Sequence, residues 1–297
     1  MMGEGSPPPD PTSVGQLRQL FRDHGFRPRR ALGQSFLIDA NIVGKLVAAA
    51  GLTGCERVLE VGAGAGSVTR ALAEAALRVV AIEIDPRLVA MLEKTVGGRV
   101  EVVQEDVLAV VWEEMLGRAE GALWRVVANL PYAITGPAIL RLLDARAWVD
   151  RMVIMVQDEV AERLVAEPGT RAHGLLSALV QAACTVEVKF RVAPTCFYPR
   201  PRVASSVLAL EVRRPQPVPD RLAGTFREVV RGAFGTRRKH LVNALTHSRE
   251  LELSKPAARE LLRECRIDPT RRAETLGTED FLRLAEAIAR AREERPS

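Results

Sequence analysis

A strand that runs into a helix through three closely spaced glycines constrains this chain more than any other feature. Arg57-Val58-Leu59-Glu60-Val61 reads as a buried strand, Gly62-Ala63-Gly64-Ala65-Gly66 as a tight turn, and Ala71, Leu72, Ala75 and Ala76 as a face of the next helix. Glycine has no Cβ and tolerates positive φ, so such a turn lets a ligand approach the backbone where a helix begins. A second strand, Arg78 to Ile82, ends in Glu83, 21 positions after Gly62. A carboxylate at that distance can accept hydrogen bonds from both hydroxyls of a ribose. A third strand, Val100 to Val103, leads to Glu105-Asp106, and a fourth, Arg125 to Ala128, ends in Asn129-Leu130-Pro131-Tyr132. Pro131 biases Leu130 toward an extended conformation and ends the ladder. Glycines, two acids and a carboxamide at successive strand ends predict a doubly wound α/β sheet that binds ligands at its carboxyl edge.

The spacing argues against a nicotinamide dinucleotide. Its G-x-G-x-x-G fingerprint would need a glycine at position 67, where the chain has Ser67. A nucleoside without a pyrophosphate needs close backbone approach more than a phosphate cradle, and S-adenosylmethionine is such a molecule. Glu83 would take its ribose and Asp106 its adenine amino group. The Asn129 carboxamide, the Leu130 carbonyl and the Tyr132 ring suit a second flat amino-bearing base, although the tetrapeptide alone could equally be a strand and a turn.

At 297 residues and 47% hydrophobic content the chain can bury a full core and a second small domain. No run of eighteen apolar residues suggests a membrane span, and residues 1 to 9 lack the basic start and apolar core of an export signal. A cytoplasmic protein is expected. Cys55, Cys184, Cys196 and Cys265 are too far apart for a metal knuckle or redox pair, and the four histidines have no ligand spacing, so no metal is expected.

Punctuation and charge divide the chain. Residues 1–16 read as a flexible segment, 17–212 as the sheet domain, 213–220 as a proline-rich linker and 221–297 as a small all-helical domain. From residue 213 onward 19 Lys and Arg face 13 Asp and Glu, a net of +6 against −1 for the rest, so the positive excess of the chain lies in the smaller region. Most of its arginines alternate with glutamates and need no ligand. Arg237-Arg238-Lys239 has no acid within seven residues on either side and points to phosphate contact, and Arg227 and Arg231 share a helix face before it. Prolines 199 and 201 interrupt a strand pattern, which predicts a rigid loop holding Phe197 out of the core.

Taken in order, Leu32 to Leu37, Glu60 to Gly66, Glu83, Asp106, Asn129 to Tyr132, Phe197 to Val203 and Phe234 to Lys239 resemble the ribosomal RNA adenine N6,N6-dimethyltransferases. The likeness runs from about Leu17 to Phe281. It implies S-adenosylmethionine as cofactor, with Ser35, Leu37, Gly62, Gly64, Gly66, Glu83, Asp106 and Asn129 around it. It implies a catalytic set of Asn129, Leu130, Tyr132 and Phe197, with the two rings on opposite faces of a flipped adenine. As RNA contacts it implies Arg227, Arg231, Arg237, Arg238 and Lys239. The implied substrate is a pair of adjacent adenosines in the 3′-terminal hairpin of small-subunit (16S) ribosomal RNA, and the implied partner is the small ribosomal subunit, met by a monomer. Macrolide-resistance methyltransferases acting on large-subunit RNA are similar too, but usually carry isoleucine at position 130. A non-catalytic RNA-binding assembly factor, or a nucleotide-dependent oxidoreductase, remains as an alternative of another class.

Overall fold

A computed structural model describes residues 8–29, 33–117, 122–236 and 239–294. The chain divides into two units, Met1–Ala161 with Glu187–Val212, and Glu162–Val186 with Arg213–Ser297. Within the first lie helices α1 (Val14–Asp23), α2 (Ala40–Ala49), α3 (Ser67–Ala75), α4 (Pro86–Val96), α5 (Trp112–Leu116) and α6 (Thr135–Asp144). Its strands are β1 (Phe36–Leu37), β2 (Arg57–Val61), β3 (Arg78–Glu83), β4 (Glu101–Gln104), β5 (Trp124–Asn129), β6 (Val149–Gln157), most of β7 (Cys184–Val192), β8 (Phe197–Tyr198) and β9 (Ser205–Val212).

Seven strands form one sheet in the order β4-β3-β2-β5-β6-β9-β7. Strands β4, β3, β2, β5 and β6 run parallel, with Leu59 level with Val80 on one side and Val126 on the other, and β9 is antiparallel to β6. Parallel strands are covered on both faces, and Val58, Leu59, Val126 and Val127 are accordingly sealed from solvent. From β2 the chain winds outward to β3 and β4, then returns to β5 and β6 on the other side. That reversal opens a crevice at the carboxyl ends of β2 and β5, where such sheets bind ligands. Sequence fixes the helix starts behind it: Asp39 caps α2 through the amides of Asn41 and Ile42, and Asp85 caps α4 through Arg87, with Pro86 in its first turn.

In the second unit are α8 (Leu175–Ala183), α9 (Ala223–Phe234), α10 (Leu241–Thr246), α11 (Lys255–Glu264) and α12 (Thr278–Glu293), while α7 (Asp158–Leu164) crosses the boundary. Phe226, Val229, Val230 and Ala233 bury one stripe of α9. At its centre Phe281 is fully buried, its ring 6.4 Å from that of Phe226 and 5.9 Å from that of Phe234.

Three expected boundaries shift. The sheet domain is not continuous from 17 to 212, because residues 162–186 group with the helical unit. The apolar faces of α8, with Ala178, Leu179, Val180 and Ala182 buried, pack against α9 and α12, which no break in the sequence announces. Helix α1 begins at Val14, inside the segment expected to be flexible, and Asp10 accepts a hydrogen bond from the Thr12 amide. Residues 213–220 are tied to the helical unit by the Arg213 amide and the Gln216 side chain, both donating to the Ala183 carbonyl.

Candidate active site

At the tip of β2 the chain turns through Gly62 (φ 76°) and Gly64 (φ 59°). A Cβ on Gly62 would lie 3.1 Å from the Asn129 carbonyl oxygen, and one on Gly64 3.2 Å from the Phe36 ring. Both positions therefore need glycine for conformation and for space. The turn is stitched to its neighbour by the Gly62 and Ala63 amides, which donate to the Ile82 carbonyl at 3.0 and 3.3 Å.

Glu83, at the tip of β3, anchors two loops at once. One carboxylate oxygen accepts from the Gly64 amide at 2.9 Å, and the other accepts from Ile84 and Asp85 at 2.9 and 3.0 Å. Burial pushes its pKa up, while those three amides pull it down. The oxygen that accepts from Gly64 keeps a lone pair for a ligand hydroxyl. Asp106 follows β4 half-buried, with Oδ1 accepting from the Leu108 amide at 2.9 Å. Ile84 and Leu108, beside these acids, are among the few large apolar side chains left exposed, which suits the faces of a purine.

Sequence reasoning missed Glu60. It is 3% exposed, and among the described residues its Oε2 makes no hydrogen bond of good geometry, though the Thr69 hydroxyl lies close enough to lower its pKa somewhat. Burial, with the Glu83 charge adding to it, pushes the Glu60 pKa up to about 8. An acid buried in a parallel strand is costly, and Glu60 stands two residues before the glycine turn. The available signal was the glutamate itself, the one charged residue inside an otherwise apolar run.

On the other side of the crevice β5 delivers Asn129, half-buried, and leads to Leu130, which is 1% exposed. Among the described residues neither the Asn129 side-chain oxygen nor the Leu130 carbonyl accepts a hydrogen bond, so both acceptors are unpaired. Tyr132 sits in the following 3₁₀ turn with its hydroxyl 2.8 Å from Ser205 Oγ, and Gly33 packs against its backbone.

Other expected site residues behave differently. Phe197 is 3% exposed and belongs to the main apolar cluster, so the prolines do not hold its ring out of the core. The reason is a two-residue strand: Phe197 pairs with Leu37 and Tyr198 with Phe36, which turns the Phe197 ring inward beside Leu37. Leu37 is itself 2% exposed, so its side chain belongs to the core and not to a cofactor surface. Ser35, just before it, is half-buried. In the helical unit Arg231 lies 3.9 Å from Glu250, Arg227 is half-buried on α9, and Lys239 is exposed. Arg237 and Arg238 lie outside the described residues. No group of His, Cys, Asp or Glu among the described residues could hold a metal ion, and no helix among them is long and apolar enough to cross a membrane.

Comparison with known proteins decides what this arrangement is. The profile of the family "Ribosomal RNA adenine dimethylase" matches residues 25–290. The chain belongs to this family. A curated member, the ribosomal RNA small subunit methyltransferase A of Pelotomaculum thermopropionicum, is 42% identical over 285 residues, covering 93% of this chain and 96% of the relative. That of Moorella thermoacetica is 43% identical over 282 residues, covering 92% and 97%. Among solved structures, a dimethyladenosine transferase from Plasmodium falciparum superposes with a TM-score of 0.70 at 25% identity, covering 84% of this chain and 95% of that one. The 23S rRNA methyltransferase ErmE shares the fold, with a TM-score of 0.60 at 24% identity over 86% of this chain and 99% of its own.

A dimethylase of this family uses S-adenosylmethionine, and the residues present fit it. The glycine turn leaves room for a ligand against the backbone, Glu83 can accept from a ribose hydroxyl, and Asp106 can take the adenine amino group. Glu60 lies buried in β2, two residues before the turn.

Proposed function

We propose that the protein transfers methyl groups from S-adenosylmethionine to N6 of two adjacent adenosines in the 3′-terminal hairpin of small-subunit ribosomal RNA. The observation that carries this reading is the pair of unpaired acceptors, the Asn129 side-chain oxygen and the Leu130 carbonyl, at a strand tip beside Gly62 and Tyr132.

The chemistry follows from adenine N6, whose lone pair is delocalised into the ring and is a poor nucleophile. Two hydrogen bonds from the amino group to Asn129 and Leu130 favour a tetrahedral nitrogen and localise that pair. When bound, the cofactor supplies an electrophilic sulfonium methyl. Asn129 cannot take a proton as a base would, so it aligns and polarises, and the proton passes after transfer to solvent or a carbonyl. The Tyr132 ring offers the stacking face that holds the base out of its own helix. The buried Phe197 ring supports the pocket from behind. Each adenosine is methylated twice, so the pocket also admits a nitrogen that already carries one methyl group.

The helical unit, with Arg227, Arg231, Lys239 and the neighbouring Arg237 and Arg238, docks RNA phosphates. The protein acts as a monomer in the cytoplasm, on the assembling small subunit. A large-subunit substrate is the second reading, and its support is the likeness to ErmE, which at 24% identity concerns the fold alone.

Incubating the protein with labelled S-adenosylmethionine and unmethylated small or large subunits tests the proposal. Label should enter small-subunit RNA. Label confined to large-subunit RNA would assign the chain to the second reading.

A further inference from the structure

A cleft of about 230 Å³ opens in the helical unit between the last turn of α9 and the turn that follows α10. It is built from Arg231, Thr236, His247, Ser248, Arg249 and Glu250, and Gly232 shapes its back. A Cβ on Gly232 would come within 2.9 Å of Ser248 Oγ and 2.8 Å of Leu251, so only glycine lets the two segments close so tightly.

Cations surround the opening. Arg231 and Arg249 are exposed, and the only acid near Arg231 among the described residues is Glu250, 3.9 Å away and itself half in water. At such exposure that pair is weak and leaves the guanidinium available. Lys239 is also directed here. His247 Nδ1 lies 2.6 Å from the Asn243 carbonyl and must carry the proton for that bond, so Nε2 is an acceptor, and Lys239 Nζ donates to it at 3.2 Å. A histidine lining the cleft thus steers the last residue of the basic triplet toward it.

The inner surface has a different character. Thr236 Oγ1 is buried and has no hydrogen-bond partner among the described residues. The carbonyl ends of α9 and α10 also terminate at the cleft, and together with Glu250 they favour hydrogen-bond donors over a second anion. A ligand that satisfies both halves carries a negative group at one end and hydroxyl or amino donors at the other. A ribonucleotide does, and its 2′-hydroxyl can both donate and accept.

We propose that this cleft takes a single nucleotide of the RNA substrate, with its phosphate on Arg231, Arg249 and Lys239 and its ribose hydroxyl on Thr236. It is a docking point on the helical unit, distinct from the adenosine that is methylated, and it rests on the reading that the substrate is ribosomal RNA.

Fluorescence anisotropy with the full-length protein tests it. The probe is a labelled small-subunit 3′-terminal hairpin, compared with the same sequence made as DNA. Arg249→Gln should weaken RNA binding about tenfold and lower the slope of log affinity against log salt by about one unit. Thr236→Val, which keeps the shape and removes the hydroxyl, should weaken RNA binding about fivefold and leave DNA binding unchanged, as expected for one lost hydrogen bond. Thermal melts and methyl-donor affinity should match the parent protein. Wild-type RNA affinity in Arg249→Gln, or an equal loss on RNA and DNA in Thr236→Val, overturns the proposal. If the variants bind RNA normally while the parent still methylates small-subunit RNA, the cleft assignment fails and the substrate reading stands. If the parent labels no small-subunit RNA, the substrate reading itself has failed.

Discussion

The hydroxyl of Tyr132 meets Ser205 Oγ at 2.8 Å, joining the tetrapeptide turn after β5 to the first residue of β9. Ser205 is completely buried, and the next residue, Ser206, donates to Asp158 at 2.6 Å, so the serine cannot drift. A phenol held at its far end fixes the plane of the ring, which a stacking surface requires. Tyr132→Ala should remove a face worth about 1 to 3 kcal/mol per base while leaving methyl-donor affinity intact. Tyr132→Phe and Ser205→Ala should each cost about 1 kcal/mol of stability and slow methylation without changing cofactor binding. Melts, calorimetry and single-turnover methylation check the set, and loss of cofactor binding in any of the three would give Tyr132 a different role.

Phe197 should behave in the opposite way. With its ring 3% exposed among core residues, Phe197→Ala leaves a cavity and should cost about 3 to 5 kcal/mol, seen as a lowered denaturant midpoint. An unchanged midpoint together with weakened RNA turnover would return Phe197 to the pocket face.

For Glu83 two losses should appear together. Glu83→Ala removes a charged acceptor for the ribose, worth about 1.5 to 3 kcal/mol of cofactor affinity. It also strands the amides of Gly64, Ile84 and Asp85, so the ligand-free melting temperature should fall as well. Calorimetry showing wild-type affinity would remove Glu83 from the cofactor site.

Glu60 predicts a pH dependence. Unfolded, it releases its proton near its ordinary value of 4.5, whereas folded it holds the proton to about 8. The folded state is therefore favoured in full below the lower value and loses that advantage as pH rises to the upper one, by up to about 1.4 kcal/mol per pH unit. Glu60→Gln removes the term. Ligand-free melts at about pH 5 and 8 should show the wild type losing more stability than the variant across that window. Parallel losses would mean that Glu60 is ionised in the fold.

Strand-tip residues were legible in the sequence because a parallel sheet lines up its carboxyl ends, so order along the chain becomes adjacency in space. Gly62, Glu83, Asp106 and Asn129 were readable on that ground. Phe197 was not, because two prolines look like a projecting loop until the two-residue pairing of β8 with β1 turns the ring inward. Residues 162–186 were assigned to the wrong unit because α8 has an apolar face that fits either neighbour in sequence, and only packing against α9 and α12 decides. The cleft at Thr236 was invisible, since it depends on helix ends far closer in space than their spacing suggests.

The central claim is that Asn129 and the Leu130 carbonyl present adenine N6 for methyl transfer on small-subunit RNA. Mass spectrometry of nuclease fragments tests it most directly, using small subunits from cells with the wild-type protein, with Asn129→Ala, or with none. Two adjacent N6,N6-dimethyladenosines near the 3′ end are predicted with the wild type and unmodified adenosines in the other two. Full dimethylation with Asn129→Ala, or identical fragments with and without the protein, would contradict it.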